Sequence, residues 1–228
     1  MTEVDLEYVK QALQAGLIND RVLELGVGYG GLTCRQLMRS AGLAYIGTDL
    51  LPGPEVDVVA DLEQPDHLSR FRSYKPFGTI LLLNVLEHTF DPIRVLDHLL
   101  KLLAPGGKIV IIAPAIWPLH DYPYDVWRLL PNFYEEYARR RELVIHPDSF
   151  LYVGHGRIVD SRNLDGTYRL PKPGCSACHL LYSRVVHRLF NTSGRGMLSP
   201  SHIAVGCILK TPASTSSDPP VSFSIQNS

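Results

Sequence analysis

Two nearly continuous apolar runs, FGTILLLNVL (77–86) and KIVIIAPA (108–115), flank the amphipathic stretch DPIRVLDHLLKLLAPGG (91–107). Apolar runs without polar alternation suit strands covered on both faces, and a parallel sheet between helices provides that cover. Proline at the start and Pro-Gly-Gly at the stop mark the intervening stretch as a helix. The same rhythm runs upstream. RVLELG (21–26), AYIGTDL (44–50) and VDVVADL (56–62) read as strands, and GLTCRQLMRSA (31–41) reads as a helix. Strands alternating with helices predict an α/β domain.

The 228 residues suffice for one such domain with a sizeable core. A net charge of −1 gives no global electrostatic case for nucleic acid or an anionic membrane surface. The basic run ARRRE (138–142) reads as a solvated helix face. The charged opening MTEVDLEYVKQALQ reads as an amphipathic helix rather than an export signal, and no apolar run reaches bilayer length. The expected setting is cytoplasmic, with the four cysteines reduced.

The first strand leads into VLELGVGYGG (22–31), which satisfies two patterns at once. Gly26, Gly28 and Gly31 fit the dinucleotide fingerprint G-x-G-x-x-G, and Glu24, Gly26, Gly28 and Gly30 fit an acid-x-G-x-G-x-G signature. Such glycines let the backbone approach a ligand beside free helix N–H groups. No Gly-Lys-Ser/Thr follows, so this is not a phosphate-binding P-loop. Glu24, a carboxylate at a strand end, needs a cationic or hydrogen-bonding partner. The amino group of a methionine-type cofactor is one. Asp49 ends the second strand, where a carboxylate accepts ribose hydroxyls of either cofactor type. Asp61 and Asn84 fall at the ends of the next two, and ligands of open α/β sheets lie at those carboxyl ends.

With its L-E-H-x-x-D-P and L-x-P-G-G elements, the sequence resembles a class I S-adenosylmethionine-dependent methyltransferase, closely over about 20–115. The resemblance implies a Rossmann-like, doubly wound, three-layer α/β/α fold. Its seven-stranded sheet is mostly parallel, with the last strand antiparallel. It also implies S-adenosyl-L-methionine as cofactor, held by Glu24, Gly26, Gly28 and Gly30, by Asp49 with Leu50, by Asp61 with Leu62, and by Asn84 with Val85. No metal is implied.

The methyl acceptor should be read in IWPLHDYPYDVWRLLPNF (116–133), which follows the fifth strand. Its prolines exclude a long helix or a central strand. Trp117, Tyr122, Tyr124, Asp125, Trp127 and Arg128 offer aromatic walls with few polar groups, as small-ligand sites do. His120 is the candidate general base, oriented by Asp121 or Asp125, and His88 a second candidate. Arg128 suits an anionic acceptor group. The bland alternatives are a structural loop, a structural Asp125–Arg128 ion pair, and a Glu87–His88 pair that supports the loop over the cofactor. Similar segments in methyltransferases beside surface-glycan and other biosynthetic enzymes imply oxygen-directed transfer to a small molecule. The alternatives are a protein or peptide acceptor, an inactive methyltransferase-like partner protein, and an NAD-dependent oxidoreductase.

The expected organisation is a domain over 1–210, with a substrate segment at 116–142, an insert at 155–200 and a Ser- and Pro-rich tail at 211–228, as a monomer or homodimer. LVIHPDSFLYVG (143–154) reads as a strand bent at Pro147, and SHIAVGCILK (201–210) as another. HLLYSRVVHRLF (179–190) reads as a helix within the insert. CSACH (175–179) matches a haem-attachment pattern without an export signal and half a zinc site without its second half; it reads as ordinary thiols.

Overall fold

The computed structural model describes residues 1–28, 31–117, 124–154, 157–160 and 203–212. Gly30, His120, Asp121 and Tyr122, the CSACH cysteines, the helix read at 179–190 and nearly all of the tail lie outside them.

One sheet organises the chain. In order along the sequence come α1 (Glu3–Gln14), β1 (Val22–Leu25), α2 (Arg35–Ser40), β2 (Tyr45–Asp49), β3 (Val58–Val59), β4 (Phe77–Leu83), α3 (Pro92–Leu100) and β5 (Leu103–Ile116). They are followed by α4 (Pro131–Arg140), β6 (Val144–Ile145), β7 (Leu151–Gly154), β8 (Arg157–Asp160) and β9 (Ile203–Lys210). The strand order is β3-β2-β1-β4-β5-β9-β7-β8, with β6 also on β9. The first five strands pair in parallel and β9 runs antiparallel to β5.

The bent strand read over 143–154 is broken outright. Pro147–Ser149 forms a 3-10 turn, and the two halves, β6 and β7, pair separately with β9. Counted as one interrupted strand, they complete the seven-stranded plan. β8, a hairpin partner of β7, is an addition to the expected plan, since 157–160 falls in the stretch that reads as an insert.

Alternation on the strands sorts the core into two halves. Ile80 and Leu82 of β4, with Ile109 and Ile111 of β5, pack against Val95, Leu96 and Leu99 of α3 and Tyr134 and Tyr137 of α4. Leu81, Leu83, Val110 and Ile112 face Tyr8, Val9 and Ala12 of α1 and Met38 of α2. This is the three-layer arrangement, and both central strands are apolar on both faces because both faces are covered. α1 starts on a capping box between Thr2 and Asp5, and α3 on the Asp91 cap with Pro92 behind it. Strand order reverses between β1 and β4, so a crevice opens at their carboxyl ends. Among the described residues, no helix is long and apolar enough to cross a membrane.

Candidate functional site

Three strand ends converge on the glycine turn. Gly26 stands at φ +78, which favours glycine, and a Cβ there would lie 2.8 Å from Val85 Cγ2 beyond the end of β4. The Gly28 amide donates to Asp49 Oδ2 at 2.8 Å, and a Cβ on Gly28 would sit 2.7 Å from the Asp49 carboxyl carbon. The turn therefore lies directly on Asp49 and Val85, with no room for side chains at either glycine. Asp49 Oδ1 also accepts the Leu51 amide at 3.3 Å. A carboxylate offers about four lone-pair sites, so two backbone donors leave capacity for a diol. Leu50 is exposed beside it. Asp61 Oδ1 caps the Glu63 amide at 2.9 Å, and buried Leu62 offers its carbonyl to His98 Nδ1 at 2.7 Å.

Two expected cofactor contacts are already engaged within the protein. Glu24 is buried, and its Oε2 accepts the Cys34 amide at 2.8 Å and the Tyr45 hydroxyl at 2.6 Å. Oε2 thus finds its donors inside the protein, so the need for a partner does not by itself point to a cofactor amine. Burial raises its pKa, and the two donors partly offset the rise. Asn84, at φ +57, donates from Nδ2 to Asp5 Oδ2 at 2.8 Å and so ties the end of β4 to the first turn of α1.

The two candidate acceptor-side segments meet. The Val126 amide donates to the Glu87 carbonyl at 2.8 Å, Trp127 Nε1 donates to the Phe90 carbonyl at 3.2 Å, and His88 Nδ1 lies 3.3 Å from the Tyr124 carbonyl. Asp125 and Arg128 form a two-pronged ion pair at 2.5 and 2.6 Å, and Arg128 Nε donates to the Trp117 carbonyl at 3.1 Å. Tyr124 and Trp127 are exposed. Among the described residues no cluster of His, Cys, Asp and Glu is arranged to hold a metal, and Cys207 is buried within β9.

A family model described as "Methyltransferase domain" matches residues 6–166. The chain belongs to that methyltransferase family. The class I resemblance read from its motifs therefore holds. Among curated relatives, the methyltransferase is 30% identical over 171 residues to a ubiquinone biosynthesis O-methyltransferase of Xylella fastidiosa, covering 63% of this chain and 64% of that protein. It is 31% identical over 170 residues to the enzyme of that name from Xanthomonas euvesicatoria, covering 63% and 66%. The match thus spans less than two thirds of each relative's length. Solved structures with the same fold include a SAM-dependent methyltransferase from Archaeoglobus fulgidus, at TM-score 0.50 and 16% identity over 92% of this chain and 95% of that one. The MccD protein is another, at TM-score 0.55 and 12% identity over 90% and 96%.

Glu87 of the methyltransferase is in a condition that no local sequence pattern marks. It follows β4 in a 3-10 turn, is 1% exposed, and neither carboxylate oxygen has a hydrogen-bond partner. Its Oε1 lies 3.8 Å from His88 Nε2. Burial, reinforced by the Asp125 carboxylate, pushes its pKa from 4.5 to about 8, against the pull of its own backbone amide and of Arg128. The folded chain therefore holds this proton more tightly than the unfolded one. That stabilisation is complete below about pH 4.5 and is lost as pH rises through about 8. At ~1.4 kcal/mol per pH unit the ceiling is about 4–5 kcal/mol, and relaxation of the ionised form reduces it to about 2 kcal/mol. Chemical denaturation from pH 5 to 8.5 should show this fall in the wild type and lose it in Glu87→Leu; equal slopes would refute it.

Proposed function

We propose that this chain is an S-adenosylmethionine-dependent methyltransferase acting on an oxygen of a small-molecule acceptor. The observation that carries the reading is the glycine turn seated on Asp49 and Val85, at the switch point of a fold whose family is methyltransferase. The curated relatives named as O-methyltransferases support oxygen as the acceptor atom.

When bound, S-adenosylmethionine supplies a methyl group on a sulfonium sulfur, already activated for displacement. The protein's work is then alignment. Gly26, Gly28 and Gly30 admit the cofactor to the backbone, and Asp49 takes the ribose hydroxyls while Leu50 flanks it. Asp61 and Leu62 receive the adenine, and Asn84 and Val85 wall the far side. Glu24 acts through Cys34 and Tyr45 by fixing the start of α2. Trp117, Tyr122, Tyr124 and Trp127 line the acceptor side, Asp125 locks Arg128, and His120 or His88 receives the acceptor's proton.

Calorimetry should find micromolar affinity for S-adenosylmethionine and S-adenosylhomocysteine. Methyl-labelled cofactor should label the small-molecule fraction of a cell extract in preference to its proteins. Absence of cofactor binding would refute the proposal; label in protein alone would move the acceptor to a polypeptide.

A further inference from the structure

The charge on Glu24 exceeds what its place in the fold needs. The residue lies on β1, two positions before Gly26, and is 3% exposed. The Cys34 amide and the Tyr45 hydroxyl both donate to Oε2, at 2.8 and 2.6 Å. A glutamine carbonyl would accept the same two bonds. Fixing the start of α2 therefore calls for an acceptor, not for an anion. Burying an ion costs far more than burying an amide, so internal partners for Oε2 leave the charge itself unexplained.

Tyr45 is placed to keep that charge. Its side chain leaves β2, and the Arg35 guanidinium carbon stands 4.7 Å from the ring centroid. Arg35 is anchored in turn on the Glu55 carbonyl at 2.6 Å and on Asp57 Oδ2 at 2.7 Å. The cation holds the ring, and its charge makes the phenol a better donor. Burial draws Glu24 toward its neutral form, and the Tyr45 hydroxyl opposes that draw most strongly. The Cys34 amide and thiol and the amino terminus ahead of α1 act the same way, more weakly.

We propose that Tyr45 is a positioning residue for cofactor selectivity: its hydroxyl, set by Arg35, holds Glu24 as a fixed anion between the two ends of the glycine turn, and that anion favours a nucleoside with a cationic amino-acid tail over one without. The proposal rests on the reading of the chain as an S-adenosylmethionine-dependent enzyme. An ammonium group gains most from a carboxylate that stays ionised in a poorly solvated site. Asp49, at the ribose, serves nucleosides with and without the tail alike, so the tail alone separates them.

The test is calorimetry on the full chain at pH 7 with two ligands, S-adenosylhomocysteine and methylthioadenosine. The second keeps adenine, ribose and a thioether but lacks the amino-acid tail. The wild type should bind S-adenosylhomocysteine at least about tenfold more tightly. Tyr45→Phe should weaken S-adenosylhomocysteine at least about fivefold and leave methylthioadenosine within about twofold. Glu24→Gln keeps an acceptor for Cys34 and Tyr45, and should lose at least about tenfold on S-adenosylhomocysteine alone. Adding Tyr45→Phe to Glu24→Gln should cost less than about twofold more, because no charge remains to hold. Equal weakening of both ligands in Tyr45→Phe overturns the proposal, since the residue then shapes the turn rather than selecting the tail. Full affinity for S-adenosylhomocysteine in either single variant overturns it, as do fully additive losses. The Glu24→Gln result stands whether or not the Phe variant folds. A wild-type chain that binds neither ligand instead overturns the methyltransferase reading beneath it.

Discussion

The Asp49→Ala variant should bind S-adenosylmethionine about 100-fold more weakly than the wild type while remaining folded. Asp49 accepts the Gly28 and Leu51 amides at 2.8 and 3.3 Å, which leaves lone pairs on the carboxylate for further donors. Two hydroxyl donors on a carboxylate contribute about 1.5–3 kcal/mol each. Part of that loss is recovered by water, which leaves about 3 kcal/mol, or about two decades of affinity. The Gly28 amide also loses its acceptor, so the turn loosens where the ligand needs it fixed. The carboxylate is half-exposed, so the cost to folding should stay near 1 kcal/mol. Asp49→Asn keeps a carbonyl oxygen for Gly28 and should lose only about tenfold. Calorimetry with S-adenosylhomocysteine checks both variants. An Ala variant within about threefold of the wild type would remove Asp49 from the cofactor site.

What the sequence made legible was whatever depends on local pattern. The unbroken apolar runs of β4 and β5 required cover on both faces, and both core halves meet there. The glycines of the turn were legible because backbone without a Cβ has few other uses at a strand end, and at Gly26 and Gly28 a Cβ would collide. What stayed hidden depends on contacts between distant residues. Glu24 looked as though it needed a ligand because its partners, Cys34 and Tyr45, come from two other elements. Asn84 looked like a cofactor wall, yet its amide reaches Asp5, 79 positions away. With Glu24 satisfied internally, its carboxylate no longer separates a methionine-derived cofactor from a dinucleotide. That choice now rests on family membership and on the ordered set of strand-end residues.

The acceptor side follows the same division. Tyr124, Asp125, Trp127 and Arg128 stood out by type, and the Asp125–Arg128 pair was anticipated from their spacing. Their docking on 86–90 was not, because three hydrogen bonds between remote loops make it. The condition of Glu87 was the least legible. Leu-Glu-His reads as an ordinary loop opening, whereas the burial of the carboxylate goes with contacts remote in sequence, such as the Val126 amide on the Glu87 carbonyl.

Arg128→Met should lower stability by about 3 kcal/mol, the lower part of the range for breaking a buried pair. The Asp125 side chain is 0% exposed and takes both prongs of the guanidinium, whereas the Arg128 side chain is 26% exposed. Removing the cation strands a carboxylate in a dry site, while methionine still fills the volume of the lost stem. The Trp117 carbonyl loses a donor as well. If charge rather than shape carries the cost, Asp125→Asn combined with Arg128→Met should recover at least about half of it, because the stranded charge goes with its partner. The pair also acts on Glu87 with opposite signs, Asp125 raising its proton affinity and Arg128 lowering it. Arg128→Met should therefore drive Glu87 further toward its neutral form and move the pH-dependent loss of stability linked to Glu87 upward; the double variant should return it toward its wild-type position. Denaturation at pH 7 and the pH dependence of stability read the two effects separately. A double variant no more stable than Arg128→Met would show that the guanidinium acts by packing and by its bond to Trp117 rather than by balancing Asp125.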